Sequence, residues 1–294
     1  MKRFAMLLLC LLLVCGVGYA QQEDPYQSLW NLIDGSTATI PLSEALFMHF
    51  SSRGAADAST VILHNTTPKA YENLYSGAAE LIFVTTPAQE DLDAAKEAGI
   101  ELEVIPVVKD ALVFLNNRQN PVEGLSQTQL RDIYGGKIAN WQEVGGEDLE
   151  IKAYQRTVRS GSQTLFLKLL MQDSAPMEAP RKLQPASMGG LVDAVSGYEN
   201  GKEALGYTVY YYVNDMYGGE NLRLLAVEGV VPDVNTIASG AYPLGTYYYA
   251  VLRKDTPLNS PSRALISFLL TDEGQRLAAA AGYVPLRMLP EEGK

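Results

Sequence analysis

Apolar and polar positions alternate along this chain in two rhythms, short β-branched runs and longer stretches of helical spacing. Residues 59–64 (STVILH) are short, apolar and β-branched, which predicts a buried strand. Residues 68–77 (PKAYENLYSG) predict a helix, with proline in its first turn and glycine at its end. Residues 81–85 (LIFVT) predict another strand, and 89–99 (QEDLDAAKEAG) another helix, acidic where the dipole is positive. Strand character returns over 102–108 and 112–116. Such alternation predicts an α/β fold of parallel sheets with crossover helices. Neither a repeat nor a low-complexity tract interrupts it, and no linker rich in proline or serine divides it. Two domains would therefore be joined by strands or short loops.

The N-terminus follows a different logic. Lys2 and Arg3 precede an apolar run over 4–17, and Gly18 and Ala20 supply small residues at the −3 and −1 positions of a cleavage site. This layout predicts a secretory signal peptide over 1–20. The run is shorter than the ~18–20 residues that cross a bilayer, which argues against a permanent anchor. An alternative reads Leu12-Leu13-Val14-Cys15 as a lipidation box, attaching an exported protein to a membrane through Cys15, although valine is bulky directly before the cysteine. Cleavage after Ala20 removes both cysteines, Cys10 and Cys15, with two positive charges, and takes the net charge from −11 to −13. An acidic chain without cysteine suits an oxidising periplasmic or extracellular space.

Composition then removes whole classes of function. The negative charge argues against a nucleic-acid partner, which needs a basic stripe. Two cysteines exclude a disulfide scaffold, and two histidines, His49 and His64, leave little for a metal centre. The acidic cluster Glu143, Glu147, Asp148 and Glu150 lacks the spacing of a calcium loop and reads as a solvated face. No metal or cofactor is expected. At 294 residues and 47% apolar, the chain can fill two ordinary domains. A serine hydrolase or phosphatase is the enzymatic alternative. Against it, the chain has neither a G-x-S-x-G elbow nor an H-E-x-x-H pair, and no catalytic residues are assigned.

Three junctions share one design of strand, hydroxyl-rich loop and helix start. The first is DGSTATI (34–40), after which Pro41 opens a helix through SEALFMHF (43–50). The second is NTT (65–67) before Pro68, and the third is QRTVRSGSQT (155–164) before LFLKLLM (165–171). The first amides of a helix lack internal partners and point outward with the positive end of the dipole, so they suit an anion. Serine and threonine add donors, and glycine at 35 and 161 lets the backbone come close. The plain alternative is that these hydroxyls are N-caps, each worth about 1 kcal/mol. Arg156 and Arg159 in the third loop favour a tetrahedral oxyanion, which a guanidinium fork matches. The tyrosines over 207–212 and 247–249 read as strand aromatics, with a carbohydrate cleft as their alternative, and Trp141 as an anchor of the second half.

In order along the chain, DGSTAT (34–39), LRDIYGGKIANWQEVGG (130–146), YQRTVRSGSQT (154–164), KEALGYTVYYY (202–212) and TDEGQRLAAAAGYVPL (271–286) resemble the substrate-binding proteins of bacterial phosphate ABC transporters. The resemblance implies an α/β, two-lobed periplasmic-binding-protein-like fold with a ligand cleft between lobes that close by a hinge. It implies a discontinuous first lobe, 21–108 plus 245–294, a second lobe over 109–244, and crossings near 105–112 and 242–251. Its implied ligand donors are Ser36, Thr37, Thr39, Ile40, Thr66, Thr67 and Thr86 from the first lobe, and Arg156, Ser160, Gly161 and Ser162 from the second. The implied partners are phosphate or a similar oxyanion and an ABC permease, with the protein itself monomeric. A stand-alone sensor for sulfate or an organic phosphate is the alternative. One departure bears on the ligand. Where the family carries an acid that accepts the proton of phosphate, this chain reads Thr85-Thr86-Pro87, with no carboxylate before Glu90. A hydroxyl both donates and accepts, so the site is expected to take oxyanions more broadly.

Overall fold

The computed structural model describes residues 24–197, 201–218 and 221–289. The expected signal peptide, both cysteines and the lipidation alternative at Cys15 lie outside the described residues. Strands run at β1 Ile33–Gly35, β2 Leu81–Val84, β3 Leu102–Asn117, β4 Gly124–Leu125, β5 Lys152–Ala153, β6 Ala204–Val209, β7 Leu222–Leu224, β8 Ala226–Val227 and β9 Gly245–Arg253. Between them lie α1 Ile40–Ser51, α2 Ala55–Val61, α3 Thr67–Ser76, α4 Gln89–Glu97, α5 Gln127–Tyr134, α6 Gly161–Leu165, α7 Met188–Ser196 and α8 Val234–Ser239. The C-terminal part adds α9 Pro261–Leu269 and α10 Asp272–Ala280. None of the described helices is long and apolar enough to cross a membrane.

The sheet order β1-β2-β9-β3-β6-β5, with β7 also on β3, places one long strand at the centre of two lobes. Over Leu102 to Ala111, β3 pairs with β9; from Leu112 onward it pairs with β6 and β7. The first-lobe register shifts between Pro106 and Val108, where proline has no N–H to give the ladder. β1 with β2, and β5 with β6, are parallel, whereas β2, β3 and β6 each meet an antiparallel partner. The expectation of parallel sheets is thus corrected to a mixed sheet. Strands 102–108 and 112–116 are one strand, and β9 enters antiparallel between β2 and β3.

Two further expectations are overturned. Residues 59–64 are not a strand, because α2 covers Ala55–Val61. Ala58 and Ile62, four apart, are buried while Leu63 is 68% exposed, a helical period that the preceding alanines support. Likewise β6 stops at Val209, and Tyr212–Tyr217 wind into a π-helix. The Tyr211 amide leaves the ladder to donate to Asp110, and its ring stacks on Tyr283 at 3.8 Å. The segment 165–171 is helical as expected, but Phe166–Met171 is π-helical after α6, with Phe166 stacked on Tyr207. Trp141 is fully buried and donates its indole N–H to the Glu203 carbonyl.

Asp110 lies where β3 passes from one lobe to the other. Its Oδ1 accepts from the amides of Ala111 (2.7 Å) and Tyr211 (3.1 Å), and the Tyr248 hydroxyl lies against the same carboxyl. Burial pushes its carboxyl up to about 7. Between the ordinary value of about 3.9 and that raised value, the folded chain keeps a proton that the unfolded chain has released. Stability therefore falls as pH rises through this window. Asp110→Asn is expected to flatten the decline, read as melting temperature against pH from about 4 to 8; an unchanged slope would contradict the assignment.

Candidate functional site

The first-lobe wall of the cleft is organised by Asp34, at the end of β1. Its carboxylate accepts from the amides of Gly35 (2.7 Å) and Asn65 (2.8 Å) and from the side chains of Asn65 and Asn73 (both 2.7 Å). Four donors tie the loop before α1 to the loop before α3, so Ser36 and Thr66 are carried to the same edge. Gly35 is required there: a Cβ would stand 2.4 Å from the Phe83 carbonyl and 2.7 Å from His64 Nδ1. His64 is thereby a packing residue at the back of the loop, its Nδ1 3.2 Å from the Ser36 carbonyl, and burial lowers its pKa.

The second-lobe wall is built on the loop after β5. The Arg156 amide donates to Gln163 Oε1 (3.1 Å) and lies 3.1 Å from the Tyr207 hydroxyl, which itself donates to Gln163. Arg156 is 8% exposed, and its guanidinium spends Nε on the Pro185 carbonyl (3.2 Å) and Nη2 on the Ala186 carbonyl (3.1 Å). Its Nη1 is buried with no partner. Burial draws the pKa of this guanidinium down, opposed by the nearby Tyr207 and Tyr212. The carbonyls that hold it lead into α7, whose cap Ser187 accepts from the Gly190 amide.

Between the walls lies a cavity of about 310 Å³ lined by Ser36, Thr37, Thr66, Thr67, Pro68, Arg156, Thr157, Ser160, Gly161, Ala186, Ser187 and Met188. Helix starts from both lobes converge on it. Whether their hydroxyls are merely caps is answered separately for each. Ser160 and Ser187 do cap, accepting from Gln163 and Gly190. Ser36 and Thr66 make no capping bond. A capping oxygen accepts, so its own O–H remains a donor. The cavity therefore presents hydroxyls, helix-start amides and one guanidinium, and none of the described residues lining it is an Asp or Glu.

Of the residues assigned from sequence, Ser36, Thr37, Thr66, Thr67, Arg156, Ser160 and Gly161 line this cavity, and four do not. Thr39 is fully buried, its hydroxyl 2.7 Å from the Phe83 carbonyl. The Ile40 amide is occupied by the Thr37 carbonyl. Thr86 accepts from Lys168 Nζ at 3.0 Å. Ser162 is fully buried one position inside α6, and its Oγ has no partner. Nor do the two arginines form one fork, because Arg159 turns away to Asp91. Sequence reasoning missed Asp34, Thr157 and the α7 start. Ser187 before an apolar helical stretch was the available signal for α7, but no strand precedes it. Among the described residues, no group of three or more His, Cys, Asp or Glu is placed to hold a metal ion.

A family model described as a PBP superfamily domain matches residues 27–273. The phosphate-binding protein PstS of Bacillus subtilis is 24% identical over 258 residues, covering 86% of this chain and 80% of that protein. Protein SphX of Synechococcus elongatus is 25% identical, covering 97% and 86%. Among solved structures, a Clostridium perfringens protein named as a phosphate ABC transporter substrate-binding protein, with bound phosphate, superposes with a TM-score of 0.68 at 24% identity over 87% of this chain and 98% of that one. An ABC-type phosphate transport receptor from Vibrio cholerae gives 0.64 at 21% identity, covering 86% and 98%.

Gly161 lies close against the first lobe, where a Cβ would stand 2.6 Å from Thr85 Oγ1 and 3.0 Å from Thr67 Oγ1. Alanine suits a helix start, so Gly161→Ala is expected to change unfolding free energy by no more than about 1 kcal/mol. The clash instead falls between lobes, and small-angle scattering should report a larger radius of gyration. An unchanged radius would show that this contact does not limit their approach.

Proposed function

Because the chain belongs to the PBP superfamily, we propose that it is an extracytoplasmic solute-binding protein that captures an inorganic oxyanion, phosphate foremost, for an ABC transporter. The observation that carries this reading is Arg156 Nη1, a buried guanidinium donor without a partner among the described residues, beside the cavity where helix starts meet. A buried cation held only by carbonyls is costly, and a tetrahedral oxyanion supplies both the charge and the acceptor it lacks. Hydroxyls on the remaining walls suit the other oxygens. The names of the relatives, phosphate-binding proteins, support the same ligand. The acidic chain does not steer anions from a distance, so affinity rests on these local donors.

In this reading the protein binds and releases its ligand unchanged, acts as a monomer, and docks on a permease in the membrane. It is exported by the segment 1–20, either cleaved after Ala20 or attached through Cys15. The lobes are taken as 21–108 with 245–294, and 109–244. The change of β3 partner after Ala111 supports a boundary close to the first of these joins.

A broader ligand range is favoured by one specific observation, the lack of a carboxylate in the described lining. A carboxylate repels an oxyanion that carries no proton, whereas hydroxyls accept protonated and unprotonated forms alike.

Phosphate at ~100 times its dissociation constant should stabilise the protein by about 2.7 kcal/mol, seen as a rise in melting temperature. Arg156→Met should weaken phosphate binding by at least ~30-fold, equivalent to about 2 kcal/mol, in calorimetric titration. Retained affinity would remove Arg156 from the site. Sulfate is expected to compete with phosphate in the same titration; a phosphate isotherm indifferent to excess sulfate would restrict the site to phosphate.

A further inference from the structure

The loop that brings Arg156 to the cavity sends its second arginine the opposite way. Arg159 adopts φ +64°, a left-handed conformation that a non-glycine residue rarely takes. From there its guanidinium crosses to the first lobe. Nε and Nη2 lie 3.2 Å and 2.8 Å from Asp91 Oδ1, and Nη1 lies 3.7 Å from Glu72 Oε1. The Asp91 side chain is fully buried, and its other oxygen accepts from the Ala88 amide at 3.2 Å, fixing the start of α4. Beside this pair a second cross-lobe bond joins Lys168 Nζ to Thr86 Oγ1 at 3.0 Å.

We propose that Arg159 is a closure latch, a positioning residue that joins the lobes through Asp91 and Glu72 and so sets how tightly and how long the anion is held. This rests on the anion-receptor reading of the cavity. The latch and the ligand donors share one loop: Arg159 is three residues after Arg156 and directly before Ser160. Ordering that loop on an anion presents Arg159 to Asp91, and pairing with Asp91 holds Ser160 and Gly161 against the opposite wall. An interaction made only between closed lobes raises the fraction of binding-competent protein, and apparent affinity scales with that fraction.

The surroundings of Asp91 strengthen its dependence on Arg159. Burial raises its carboxyl pKa even beside the arginine, and the neighbouring Glu90 pushes the same way. From α3, Glu72 faces Arg159, and the Tyr75 hydroxyl donates to the Asp91 carbonyl at 2.6 Å. Arg159 is thus the cation against which this buried carboxylate is charged. Protonating Asp91 releases the latch, so phosphate affinity should fall as pH drops through the Asp91 titration.

The test is a double-mutant cycle of Arg159→Met and Asp91→Asn, with Asp91→Asn retaining an acceptor for Ala88. Phosphate affinity and dissociation rate are measured by calorimetry and stopped flow, and melting temperature without phosphate. Each single change should weaken phosphate binding about 10-fold, through faster dissociation, with the double variant no worse than either. Melting temperature without phosphate should hold, Arg159→Lys should recover part of the affinity, and Asp91→Asn should lose the acid-side fall. Wild-type affinity in both single variants overturns the latch, as does destabilisation of the phosphate-free protein with affinity unchanged, which marks a static brace. A wild type that binds no phosphate overturns the receptor reading instead. The latch is then decided by scattering, where an Arg159→Met radius of gyration equal to wild type refutes it.

Discussion

A guanidinium taken out of water must find an opposite charge or keep its pKa low, and among the described residues the Arg156 guanidinium has the carbonyls of Pro185 and Ala186. The rest of the cleft is organised around tolerating that cost. Gln163 and Tyr207 fasten the Arg156 backbone, the carbonyls before α7 fasten its side chain, and Asp34 gathers the first-lobe loops opposite. None of these contacts supplies negative charge at Nη1. The arrangement stabilises the position of the arginine and leaves its charge for something brought in from outside, which separates a binding site from an ordinary buried ion pair.

In the receptor reading proposed above, the two arginines of one short loop divide the work. Arg156 has a carbonyl cradle and no carboxylate, whereas Arg159 has a buried carboxylate across the cleft. Recognition and closure are then coupled by covalent connection, without need of a longer relay. Both arginines sit on that one loop, so its ordering entropy is shared by both tasks.

Much of this was legible from the chain. The three hydroxyl-rich loops are where the pattern put them, and seven of the residues drawn from them line the cavity. Position in a loop could not say where each hydroxyl points: Thr39 turns back to the Phe83 carbonyl because β2 runs beside it, a contact 44 residues away in sequence. Asp34 was invisible as an organiser for the same reason, since its partners Asn65 and Asn73 come from a separate helix and its approach. The misread strand at 59–64 shows the limit of short apolar runs, where six residues fit either period and the upstream alanines decide. Sheet direction was lost because β9 arrives from the far end of the chain to separate β2 from β3.

The unbroken β3 ribbon has a mechanical consequence. Because a single hydrogen-bonded strand is core to both halves, neither can drift, rotate freely or melt without pulling on the other's ladder. In the two-lobed hinge reading, bending concentrates where the pairing changes hands, around Ala111 and Leu112, beside the register shift at Pro106. The molecule is thereby built like tweezers cut from one strip of metal, whose jaws always return to the same alignment.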